Sequence, residues 1–195
     1  MNEPTSVTAQ RLIVVGACDG LGESLVRALM GDHAQVVAMD ADARGLARLQ
    51  GPDAARVPTL PLKGPPAGAL GRIGNAWGDA PLHGVINLMP LRSPGELDLN
   101  LSVLRAIAGG FYAALRAHRA QVITVVARPA NPSQLAQAGL LPMILQAQDT
   151  LAHDHDTHRF NTVSLPKGDT SAAHPTVMAL LRGQAGPLSG AHLRL

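Results

Sequence analysis

Val15-Gly16-Ala17-Cys18-Asp19-Gly20-Leu21-Gly22 decides the fold, because of what stands on either side of it. A Gly-x-x-x-Gly-x-Gly match is cheap in a chain of 195 residues with 20 glycines. Its context is not. The aliphatic run Leu12-Ile13-Val14-Val15 precedes it as a buried strand, and Glu23 to Met30 follows with helical spacing through Leu25, Val26 and Leu29. A glycine turn between a strand and a helix can present backbone N–H groups and a helix N-terminus to phosphate oxygens. In that arrangement Gly16 permits the tight turn, Gly20 the close approach of backbone to a pyrophosphate, and Gly22 close packing of helix on strand.

Outward from the turn, short apolar runs alternate with helical segments. Gln35 to Met39 is the next strand, ending at Asp40, and Ala43 to Gln50 reads as a helix closed by Gly51-Pro52. Val57 to Leu62 is a third strand interrupted by Pro58 and Pro61, and Gly64 to Gly78 holds one short, poor helix. Strands follow at Gly84 to Leu88, Val122 to Ala127, Phe160 to Leu165 and His192 to Leu195. Glu96 to His118 is the strongest helix, with Leu97, Leu101, Leu104, Ala108, Phe111 and Leu115 near one stripe. Further helices are expected within Ser133 to His155, where Gly139 and Pro142 intervene, and at Pro175 to Arg182. The alternation predicts a three-layer α/β fold of the Rossmann type. Its doubly wound, mostly parallel sheet has about seven strands in a single domain over 1–195, with 1–10 a loose arm.

Composition narrows the function. Phe111, Phe160, Trp77 and Tyr112 are the only large aromatics, too few for the stacking platforms of single-stranded nucleic-acid binding. The formal charge is +2 and the arginines are scattered, so no phosphate-tracking stripe is formed. The one cysteine, Cys18, excludes an internal disulfide and suits a reducing compartment. No apolar run reaches the ~18 residues of a membrane helix, and the start shows no secretory pattern, so the expectation is a cytoplasmic protein. There is no Walker lysine and no Gly-x-Ser-x-Gly elbow.

Asp40 ends the second strand where an acid can accept hydrogen bonds from an adenine-ribose diol, and its charge would repel a 2′-phosphate. NAD is therefore expected over NADP, though the same acid could simply cap the next helix. Asp19 adds negative charge close to the phosphate position. Cys18, beside a helix N-terminus that would lower its pKa, is either a small turn residue or a redox group.

With these features in order, the chain resembles the short-chain dehydrogenase/reductase family over nearly its whole length. The family's Thr-Gly-x-x-x-Gly-x-Gly loop corresponds to Val15-Gly16 through Gly22, without the threonine. Its Asn-Asn-Ala-Gly stretch resembles Asn87-Leu88-Met89-Pro90, and its catalytic asparagine resembles Asn100 in Asp98-Leu99-Asn100-Leu101. Phe160-Asn161-Thr162-Val163-Ser164-Leu165-Pro166 is similar to the Val-Asn-x-Val-x-Pro-Gly run, and Thr170 lies where a threonine would reach the nicotinamide amide. Leu188-Ser189-Gly190 resembles the turn into the last strand. The implied cofactor-facing residues are Gly16, Cys18, Asp19, Gly20, Leu21, Gly22, Asp40, Asn87 and Thr170, with Asn100 as the remnant of the catalytic set.

The chain departs from the family at the chemistry. Tyr-x-x-x-Lys supplies the proton and the ammonium that tunes it, yet only Lys63, Lys167 and Tyr112 exist and none has that spacing. The tyrosine and lysine positions fall near Gln137 and Leu141, and the serine near Val126 or Ala127. Lys63 stands near where relatives place an acid against adenine, and the Thr170–Pro175 segment is too short for the family's lid. Tyr112, beside Phe111, reads as a core or interface aromatic. His153-Asp154-His155-Asp156-Thr157-His158 could ligate a metal but reads as a solvated surface run, so no metal is expected.

Two functions follow. One is a non-catalytic or atypical relative that binds NAD(H) or protein partners as a sensor, regulatory or assembly subunit. The other is an NAD(P)-dependent oxidoreductase with unusual catalytic groups. Helices 96–118 and 133–155 correspond to elements that pair relatives, so a homodimer or hetero-assembly is expected, with neither nucleic acid nor membrane as partner.

Overall fold

A computed structural model describes residues 10–51, 57–129, 135–154, 158–166 and 169–195. The expected loose arm therefore lies, except for Gln10, outside the described residues. The chain runs β1 (Arg11–Val15), α1 (Gly20–Gly31), β2 (Gln35–Asp40), α2 (Ala43–Gln50), β3 (Thr59–Pro61), α3 (Pro66–Trp77) and β4 (Gly84–Asn87). It continues through α4 (Met89–Arg92), α5 (Leu97–Gly110), α6 (Tyr112–Ala117), β5 (Gln121–Arg128), α7 (Leu135–Asp154), β6 (Arg159–Pro166), α8 (Ala173–Leu181) and β7 (His192–Arg194).

The strands form one seven-stranded sheet, ordered β3-β2-β1-β4-β5-β6-β7, and every pairing is parallel. This is the predicted doubly wound sheet, with its order reversing between β1 and β4. Alternate residues of the buried strands face opposite layers. Leu12 and Val14 pack with Leu25, Leu29, Val177 and Leu181 from α1 and α8. Ile13 and Val15 pack with Leu70, Ile107 and Ile144 from α3, α5 and α7. Burial on both faces explains why these strands read as continuous aliphatic runs.

Three expectations need correction. The segment read as one short, poor helix is α3, a 12-residue helix. Gly74 lets it pack against α5, since a Cβ there would stand 2.5 Å from the backbone carbon of Gly110. The helix expected over Glu96 to His118 is two helices joined at Phe111, which leaves helical geometry (φ −95°, ψ 13°). Gly109 and Gly110 weaken the helix just before the break, and buried Phe111 anchors it edge-on to Trp77 at 5.8 Å. His158 is not part of a solvated run: it is buried, with its ring edge-on to Tyr112 and Phe160. Positions 155–157 of that run lie outside the described residues.

Candidate functional site at the switch point

Open α/β sheets hold their ligands in the crevice beyond the strand ends where the order reverses, here the C-terminal ends of β1 and β4. The glycine turn stands at that point. Gly16 takes φ +80°, the left-handed region, and its N–H donates to the Met39 carbonyl at 2.9 Å. Gly22 is pressed against the turn: a Cβ would come within 2.7 Å of the Ala17 carbonyl oxygen. Gly20 differs from both. It is exposed, and a Cβ would meet nothing within 4 Å.

Asp19 is the N-cap of α1, its Oδ1 accepting the Gly22 N–H at 2.6 Å. The carboxylate thus takes one of the orphan donors that an anion would otherwise use. Burial holds the Asp19 pKa above the usual carboxylate range, outweighing the lowering by the Gly22 N–H and by Arg92. The folded state accordingly holds this proton more tightly than the unfolded chain. Its contribution to stability is full at pH below the ordinary carboxylate range and is lost as pH rises through the raised pKa.

Cys18 is not activated by the helix beside it. Burial pushes its thiol up to about 12, and the charges of Asp40 and Asp42 add to the rise. A thiol that stays protonated at neutral pH is a poor nucleophile. Its side chain packs against the first turn of α2, where Gly45 leaves room: a Cβ there would stand 2.8 Å from the Cys18 Sγ. Asp42, not Asp40, caps α2, its Oδ1 accepting the Gly45 N–H at 2.9 Å.

Asp40 ends β2 as expected but does not present an open carboxylate. Its Oδ2 accepts the Cys18 N–H at 2.9 Å and its Oδ1 the Asp42 N–H at 2.9 Å. Arg92, from the end of α4, forms an ion pair with the same Oδ2. The Asp40 side chain keeps 2% of its surface exposed, whereas that of Arg92 keeps 30%. Arg92 is therefore the outward member of the pair, with the carboxylates of Asp42 and Asp19 close enough to feel its charge. Nothing in the sequence pattern marks Arg92; the short helix α4, absent from the expected elements, swings it across the crevice.

Asn87 is fully buried at the end of β4. Its Oδ1 accepts the Met89 N–H at 3.2 Å, while its Nδ2 has no hydrogen-bond partner among the described residues. Asn100 is also buried, but its Nδ2 donates to the carbonyls of Ser93 (2.7 Å) and Glu96 (2.8 Å), clamping the start of α5. Its amide hydrogens are committed there, while its Oδ1 has no hydrogen-bond partner among the described residues. Leu21 is buried under the turn, and Thr170 is exposed after β6.

At the family's chemistry, Val126 is buried in the core and Leu141 packs beside it. A polar group missed by the sequence reading stands just beyond. Arg128 donates to the carbonyl oxygen (3.0 Å) and Oγ (3.2 Å) of Ser164 and to the carbonyl of Leu195. Ser164 Oγ also lies 2.7 Å from His192 Nε2. Burial and the charges of Arg128 and Arg194 lower the His192 pKa. Ser164 has no exposed surface, whereas His192 is exposed, and the group ties β5, β6 and β7 together.

The open space at Gly20 and the orphaned Asn87 Nδ2 fit a phosphate-bearing nucleotide, provided its adenosine end accommodates Arg92. No protein-family model and no curated protein sequence matches the chain. Solved structures do. A Brucella melitensis short-chain dehydrogenase/reductase described as glucose/ribitol dehydrogenase aligns with TM-score 0.75 at 14% identity, over 100% of this chain and 97% of that one. RhlG of Pseudomonas aeruginosa, solved as an NADP active-site complex, aligns with TM-score 0.81 at 16% identity, over 100% and 98%. The citronellol catabolism dehydrogenase AtuB of Pseudomonas aeruginosa PAO1 aligns with TM-score 0.79 at 17% identity, over 100% and 96%. The likeness shows the fold: it is the one on which these short-chain dehydrogenase/reductases are built.

Proposed function

We propose that this chain is a short-chain dehydrogenase/reductase-like protein that binds a nicotinamide dinucleotide at the glycine turn and lacks the family's acid–base pair. It would serve as a sensor, regulatory or assembly subunit. The observation that carries the proposal is the open, side-chain-free surface at Gly20, between the left-handed turn at Gly16 and the tight packing at Gly22. Turn and packing are what a pyrophosphate site requires of its backbone. The similar RhlG structure was solved with NADP. The chemistry a bound dinucleotide would supply is hydride transfer; this chain's residues offer binding and orientation for it, and no Tyr-x-x-x-Lys to move the accompanying proton.

Gly20→Val tests the site cleanly, because the structure leaves room for the side chain. The expected result is a melting temperature within about 2 °C of wild type, as for a surface change, together with loss of the thermal shift that millimolar dinucleotide gives the wild type. A variant that still shifts like wild type removes the glycine turn as the site.

A working oxidoreductase is the second reading, favoured by the dehydrogenases among the similar structures. Steady oxidation of NADH or NADPH with a carbonyl panel would select it over the non-catalytic one.

A partner face accompanies either reading. Between α5 and α7 lies an apolar groove of about 640 Å³, lined by Leu104, Ala108, Tyr112, Met143, Ala147 and Leu151 among others. Tyr112 and Met143 are exposed there, and Leu101, expected in the buried stripe, turns toward it. Exposed apolar surface of this kind marks association, and we assign it to a second copy of the chain. Sedimentation is expected to show a dimer that Met143→Glu converts to monomer; a wild-type monomer at all concentrations would refute the pairing. Among the described residues no helix is long and apolar enough to cross a membrane.

A further inference from the structure

We infer that Arg92 reverses the cofactor selectivity that Asp40 alone would impose, so that the favoured occupant carries a phosphate on its adenosine ribose. The inference rests on the dinucleotide reading and sharpens it. A strand-ending acid selects an unphosphorylated ribose only if its oxygens can accept from the 2′- and 3′-hydroxyls. Those of Asp40 are committed: Oδ1 to the Asp42 N–H, Oδ2 to the Cys18 N–H and the Arg92 guanidinium.

What the crevice presents is the other partner. Arg92 donates to Asp40 through Nη1, and its remaining N–H groups have no partner among the described residues. A guanidinium held by one carboxylate keeps a planar fork of donors for a second oxyanion, and phosphate matches that fork in charge and geometry. The ion pair also cancels the repulsion that Asp40 would exert on a 2′-phosphate. A ribose diol, by contrast, reaches the carboxylate only if Arg92 is displaced and a nearly buried charge loses its counter-ion.

Two adenosine fragments isolate this end of the ligand from the nicotinamide chemistry: 2′,5′-ADP, which carries the 2′-phosphate, and 5′-ADP, which lacks it. Titration calorimetry on the wild type is expected to show 2′,5′-ADP binding at least tenfold more tightly. Arg92→Gln removes the fork and uncovers Asp40, so the ratio should collapse to one or invert toward 5′-ADP. Arg92→Lys keeps charge without the fork and should retain part of the preference. Equal or tighter binding of 5′-ADP by wild type would overturn the inference, as would a ratio unchanged in a folded Arg92→Gln. If neither fragment nor either full dinucleotide binds wild type, the dinucleotide reading fails and this inference with it. Binding of the full dinucleotides without discrimination overturns the inference alone.

Discussion

Gly74→Ala is expected to lower the melting temperature by about 4–12 °C. The added Cβ would stand 2.5 Å from the Gly110 carbon and 2.7 Å from its carbonyl oxygen, and both are backbone. No side chain can rotate away, so α3 must move off α5. Forced overpacking of this kind costs up to about 3 kcal/mol, and a domain of this size loses roughly 2–4 °C per kcal/mol. Alanine's better helix propensity returns up to about 1 kcal/mol, which places the result toward the lower end. Scanning calorimetry gives the answer. An unchanged or raised midpoint would mean that α3 and α5 are not in backbone contact.

Asp40→Ala is the second large effect. The substitution removes the acceptor of two backbone N–H groups, at Cys18 and Asp42, and strips Arg92 of its counter-ion. Breaking a buried charge network by deleting one partner costs about 3 kcal/mol. The loss should appear as a lower denaturant midpoint with the slope unchanged. Asp40→Asn keeps one acceptor oxygen and should lose less than half as much. A neutral Asp40→Ala would show that the carboxylate is not the keystone joining the glycine turn, α2 and α4.

The two variants mark where the sequence was readable. Elements whose signal is local were legible: β1, the turn, α1, β2 and α2 follow from aliphatic runs punctuated by glycine, although the caps Asp19 and Asp42 were not. The sheet class followed from their alternation. Gly74 misled because propensity scores a glycine as a helix breaker, whereas its role depends on Gly110 of α5, far along the chain. The unbroken stripe over Glu96 to His118 concealed the break at Phe111 for a similar reason. Periodicity reports which residues are apolar, and burial of Phe111 against Trp77 is a tertiary event.

The site shows the same division. Gly16 and Gly22 have the turn and packing geometry read from their spacing. Cys18 does not have the low pKa that its place beside a helix suggests, because the fold buries it and Asp40 and Asp42 approach from β2 and the start of α2. Asp40 was placed at the strand end, but its availability depends on Arg92, more than fifty residues on. The association of Arg128, Ser164 and His192 was not legible because three separate strands bring them together.

Titration calorimetry of the purified chain with NADP⁺ and NAD⁺ tests most directly whether a dinucleotide binds at the glycine turn. One site per chain with sub-millimolar affinity, lost in a folded Gly20→Val, is the predicted result. No binding of either dinucleotide at millimolar concentration, or binding indifferent to Gly20→Val, would contradict it.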